Sequence, residues 1–208
     1  AASDVYKRQL QFYKQYVDFN FTDYVCVVND PRKKHPYNKL YTVKYLGNVE
    51  DGNPVLYLSV DIGQIKELIE KSIMDNKGVW FGCDVGKMFH RDLGIMDVDL
   101  YDYESLFDTK FLMDKGKRLE YGDSLMTHAM LFTGVDIFKG KPTKWRVENS
   151  WGTKGGDKGY YQMSDKWFDE FNYEVVVDKK YLPKRILEIF DREPVALEPW
   201  DPMGSLAK

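Results

Sequence analysis

Two short segments hold the residue types best suited to chemistry. His128 lies in Leu125-Met126-Thr127-His128-Ala129-Met130, and Asn149 in Trp145-Arg146-Val147-Glu148-Asn149-Ser150-Trp151-Gly152. A thiol nucleophile needs a histidine to take its proton and a side-chain amide to hold the imidazole, so the pair is useful only if the fold brings both segments together. A histidine on its own is more often a core residue satisfied by a backbone carbonyl. The two cysteines, Cys26 and Cys83, sit among apolar, strand-like residues, and Cys83 has no helix N-terminus after it to depress its thiol pKa. Buried free cysteine is common. Neither thiol is expected to be catalytic.

Other constellations are weaker. Asp97, Asp99 and Asp102 lack the glycine and terminal glutamate of a calcium loop and read as a solvated turn. His35, His90 and His128 have no paired-ligand spacing for zinc. The glycine-rich stretch from Gly152 to Gly159 fits neither phosphate-loop template and reads as a flexible turn between strands. No metal or cofactor is expected.

The elements that must position these residues follow from periodicity. Leu10 to Tyr24 reads as the end of a helical region, and Asn29-Asp30-Pro31-Arg32 as a turn. Leu40 to Leu46 and Pro54 to Val60 read as strands. Ile62, Ile65, Leu68, Ile69 and Ile73 form a helical stripe, with Asp61 as cap and Gly78 as terminator. Val79 to Val85 reads as a buried strand and Met88 to Glu104 as an irregular excursion. Thr127 to Phe138, Thr143 to Asn149, Gly159 to Ser164 and Phe171 to Asp178 form a strand series that predicts a barrel-like antiparallel sheet. Lys184 to Asp191 reads as helix.

Longer strings carry a resemblance. Val25-Cys26-Val27-Val28-Asn29-Asp30-Pro31-Arg32, Tyr37-Asn38-Lys39-Leu40-Tyr41-Thr42-Val43, Val79-Trp80-Phe81-Gly82-Cys83-Asp84-Val85-Gly86-Lys87, Glu193-Pro194-Val195 and the end from Pro199 to Lys208 resemble the bleomycin hydrolase and aminopeptidase C branch of the papain-like cysteine peptidases. The resemblance covers Leu10 to Lys208 and implies an α+β fold. Its β-barrel-like domain would carry His128 as general base and acid and Asn149 as orienter, with Trp151 shielding their bond from water. That family's nucleophile lies in a Cys-Gly-[Ser/Ala]-Cys-[Trp/Tyr] string well over a hundred residues before its histidine. No such string occurs here.

The first nine residues, Ala1 to Gln9, resemble a read-through sequencing adapter, so the biological sequence is expected to begin near Leu10, in mid-domain, and a truncated reading frame would explain the missing thiol. The expected division is a scar over 1–9, a helical or mixed region over 10–78, the papain-like β-rich domain over 79–192 and a tail over 193–208. Pro199, Trp200, Pro202 and Gly204 bar a continuing helix, so Met203 to Lys208 is expected to lie extended in the cleft. The resemblance implies that the tail, through Ala207 and Lys208, recognises a substrate's α-ammonium and makes the enzyme an aminopeptidase.

Composition is consistent with that reading. Among 208 residues, 30 basic side chains nearly cancel 33 acidic ones, so no global field attracts nucleic acid or an anionic membrane. No apolar run is long enough to span a bilayer. Two cysteines without a disulfide spacing favour a reducing, cytoplasmic setting, where the sequon Asn20-Phe21-Thr22 would be accidental. The expected partners are peptide substrates and, as the resemblance implies, further copies in a homohexamer around an inner cavity. The competing expectation is a non-catalytic peptide-binding or assembly protein that keeps the fold without a nucleophile.

Overall fold

β-Branched and aromatic runs form a mixed sheet in the computed structural model, which describes residues 8–17, 19–47 and 51–207. Among the described residues its strands are β1 Tyr24–Val28, β2 Lys39–Val43, β3 Tyr57–Ser59, β4 Val79–Cys83, β5 Phe89–His90, β6 Ile95–Met96, β7 His128–Phe138, β8 Lys141–Glu148, β9 Tyr160–Ser164, β10 Asn172–Asp178 and β11 Val195–Leu197. They are ordered β11-β2-β3-β1-β10-β4-β7-β8-β9-β6-β5. The central run from β1 through β10, β4, β7 and β8 to β9 is antiparallel, as the alternation predicted. The sheet is not antiparallel throughout, because β1 and β3, β2 and β11, and β6 and β9 pair in parallel.

After β1, the α-helices among the described residues are α1 Ile62–Met74, α2 Tyr103–Phe107, α3 Lys115–Glu120, α4 Asp165–Phe171 and α5 Lys184–Leu187. The Asp61 carboxylate accepts from Gln64 N (3.1 Å) to start α1, and the stripe buries Ile65, Leu68 and Ile69. The helix stops earlier than Gly78, because Asn76 takes the left-handed conformation (φ 56°) that asparagine tolerates well. Between β9 and β10 the strand reading missed α4, whose Ser164 cap accepts from Trp167 N. Its buried Trp167, Phe168 and Phe171 follow the one-turn spacing of a helix that packs on the sheet.

One face of the sheet, with α1 and α4, holds the larger core. Phe81 stacks on Phe132 at 3.9 Å, Phe132 meets Trp145 at 5.4 Å, and Trp145 stacks on Phe168 at 4.9 Å. A second cluster gathers Val28, Tyr41, Tyr57, Leu119, Met126, Tyr173, Leu197 and Met203. It joins the tail to the segment that leads into β7. Among the described residues no helix is long and apolar enough to cross a membrane.

The expected extended tail is corrected over its described part. After β11, Pro202–Ala207 forms a 3-10 turn. Proline needs no N–H partner in a first turn, and the Asp201 carboxylate accepts from Met203 N (3.0 Å), so the chain curls and buries Met203. Ala207 closes that turn. Lys208 and residues 1–7 of the expected scar lie outside the described residues.

Candidate active site

His128 is the first residue of β7, and Asn149 follows the last residue of β8. The antiparallel pairing of these strands (Leu131 with Glu148) brings the two together across 21 residues of sequence. His128 Nε2 stands 2.8 Å from Asn149 Oδ1. An amide oxygen only accepts, so the neutral ring carries its proton on Nε2 and keeps the Nδ1 lone pair for a proton from elsewhere. Asn149 is itself held, because its N–H donates to Gly159 O (3.2 Å) and its Oδ1 also accepts from Ser150 N (2.8 Å). Gly159 has φ +92°, and a Cβ there would come within 2.8 Å of Gly152 O, so only glycine closes this loop onto Asn149. The expected turn from Gly152 to Gly159 therefore braces Asn149.

The Trp151 indole lies 4.7 Å from the His128 ring and is 38% exposed. Its other neighbours are the Arg91 guanidinium at 5.2 Å and Phe89 at 6.1 Å. Sequence spacing gave no hint of Arg91, which reaches Trp151 only because β5 and β6 pack beside β9.

Cys83 is paired directly across the ladder from His128. It is nevertheless fully buried, and burial together with the Asp84 charge pushes its thiol well above the ordinary range. Such a sulfur stays protonated and gives a substrate carbonyl no approach. Burial, and then the nearby Glu174, likewise raise Cys26. Among the described residues no group of three or more acidic, histidine or cysteine side chains could hold a metal ion. Asp102 caps α2 through Ser105 N, and Asp97 accepts from Asp99 N.

The tail approaches this site. Ser205 Oγ donates to Met126 O (2.8 Å), two residues before His128. Upstream, Asp201 accepts from Arg32 (2.7 Å), which also grips Asp30 (2.8 Å), and His35 Nδ1 lies 2.5 Å from Asp30. Burial works to raise the Asp30 carboxyl, but the hydrogen bonds from His35 and Arg32 outweigh it and hold it at about 2.

The Peptidase C1-like family model matches residues 4–204 of the sequence. The chain belongs to that family. Aminopeptidase C of Listeria innocua is 49% identical over 197 residues, which are 95% of this chain and 45% of the relative. Bleomycin hydrolase of Homo sapiens is 51% identical over 205 residues, 96% of this chain and 45% of the relative. The Peptidase C1-like chain also superposes on the crystal structure of PepW from Lactobacillus rhamnosis with a TM-score of 0.90 and 51% identity, over 93% of this chain and 44% of that one. It thus spans about half the length of the relatives it matches. The α+β papain-like fold and the resemblance to the bleomycin hydrolase and aminopeptidase C branch hold.

Proposed function

We propose that this chain is the base-bearing, C-terminal half of a cysteine aminopeptidase that removes N-terminal residues from peptides through an acyl-enzyme. The observation that carries the reading is the His128 Nε2 to Asn149 Oδ1 bond of 2.8 Å, with the Trp151 ring against the imidazole. A thiol supplied by the rest of the protein would give its proton to His128 Nδ1 and attack the scissile carbonyl, and the imidazolium would then protonate the departing amine. Asn149 favours the productive tautomer without adding a buried charge. The tail, led to Met126 by Ser205 and ending at Ala207 and Lys208, would limit one side of the cleft and meet the substrate's α-ammonium with its carboxylate. Cytoplasmic location and a homohexamer belong to the same reading. The alternative is a non-catalytic peptide-binding or assembly protein of this fold, and the raised thiols of Cys26 and Cys83 are the observation on its side.

In-frame translation of the source DNA upstream of Leu10 separates the two. A Gln-containing segment followed by Cys-Gly-x-Cys-Trp, with release of N-terminal residues by the expressed reading frame, supports the peptidase. An authentic start without that cysteine supports the binding protein. The 208-residue chain alone is expected to release nothing, and thiol-inhibitor-sensitive activity in it would contradict the assignment.

A further inference from the structure

Three of the four residues before His128, Ser124, Leu125 and Thr127, donate to one buried side chain, the carboxylate of Asp84, which follows β4. Its Oδ2 accepts from Ser124 Oγ (2.8 Å) and Leu125 N (3.3 Å), and its Oδ1 accepts from Thr127 Oγ1 (3.3 Å). Thr127 N donates to Cys83 O (2.9 Å), so the end of this strap is fixed to the end of β4 by side chain and backbone together. Ser124 Oγ also bonds Tyr173 OH (2.6 Å), which ties the strap to β10.

We propose that Asp84 is a positioning residue for His128, its carboxylate fixing the 124–127 strap from which the imidazole projects. A buried carboxylate left without donors is costly. The three donors come from one short segment, so shifting that segment strips them from Asp84 together. His128 is the next residue after Thr127, and no intervening residue can absorb a displacement. The 2.8 Å bond to Asn149 survives only a few tenths of an ångström of movement before its geometry degrades. The catalytic meaning of this placement rests on the peptidase reading above, but the placement itself does not.

The test is made on the 208-residue chain with ¹⁵N-labelled histidine, whose three imidazoles, His35, His90 and His128, report separately in long-range proton–nitrogen spectra at one pH. The wild-type His128 is expected as the Nε2–H tautomer, and Asn149→Ala supplies the spectrum of a released ring. Asp84→Asn and Thr127→Val are expected to move His128 toward that released spectrum, with loss of the Nε2–H resonance, while His35 and His90 stay in place. Thr127→Val is nearly isosteric and decides the matter if Asp84→Asn does not fold. The proposal is overturned if His128 keeps its wild-type signals in the folded variants, or if it moves only together with His35 and His90. The tautomer measurement needs no nucleophile, so a failed peptidase assay leaves this result standing, and an unmoved His128 leaves the peptidase reading intact.

Discussion

At the scale of single residues, the site depends on which atom of each group is free. Asn149 Oδ1 occupies Nε2 of His128, so Nδ1 is the ring atom left with a free lone pair. On the peptidase reading, His128→Ala in the longer protein is expected to abolish N-terminal residue release. Asn149→Ala should lower kcat by roughly 100-fold with a smaller change in KM, the scale of loss for a misplaced reacting group; steady-state assays of the two variants check this. Cys83→Ala should leave kcat unchanged, because that thiol is buried and held protonated. A large loss of kcat with the fold intact would make Cys83 a participant. His128, Asn149 and Trp151 were legible in the sequence because each sits in a short distinctive string. Asp84 was not, although it lies in one of the strings that carry the family resemblance, because a carboxylate becomes a clamp only when another loop brings it donors.

At the scale of elements, the tail is attached by charge as well as by packing. Asp201 and Arg32 are both buried and lie 169 residues apart in sequence. Asp201→Ala removes one partner of Arg32 but leaves Asp30 on it, so it should cost about 1.5–3 kcal/mol, the scale of a lost hydrogen bond to a charged group. Chemical denaturation gives the loss, and limited proteolysis beyond Trp200 should become faster. Periodicity located α1 and the strands from β7 to β10 to within a few residues. It missed α4 because Asp165–Phe171 is only seven residues long, shorter than the window in which a helical stripe becomes visible. The extended tail failed for a related reason, since an aspartate cap and a buried methionine act only once the tail has docked.

At the scale of the whole molecule, two buried ionisable groups set how stability depends on pH. Burial pushes the Lys115 ammonium down from 10.5 to about 7, although it donates to Asn29 Oδ1 and Asn172 O. Burial likewise pushes the Glu174 carboxyl up from 4.5 to about 7. Between those two values the folded state holds the Glu174 proton more tightly than the unfolded chain, so stability falls as pH rises from about 4.5 to 7. Lys115 has the reverse effect, and its contribution rises from about pH 7 to 10.5 as the unfolded chain loses its proton. Urea midpoints should therefore dip near neutrality. Glu174→Gln should flatten the acid limb and Lys115→Met the alkaline limb; an unchanged profile in both variants would refute this account. Phe132→Ala, which empties the centre of the aromatic stack, should cost about 3–5 kcal/mol at any pH.

The sequence by itself determined the family, the α+β class and the candidate pair His128 and Asn149, because these reside in local strings and in periodicities that need no knowledge of what packs where. The tertiary structure decided the rest. Cys83 lies beside His128 yet is closed to substrate, Asp84 gathers three donors from the strap before the histidine, and the tail curls onto Met126. Burial, hydrogen bonds between distant segments and the pKa shifts they cause depend on distances in space, and residue spacing along the chain does not encode them one position at a time.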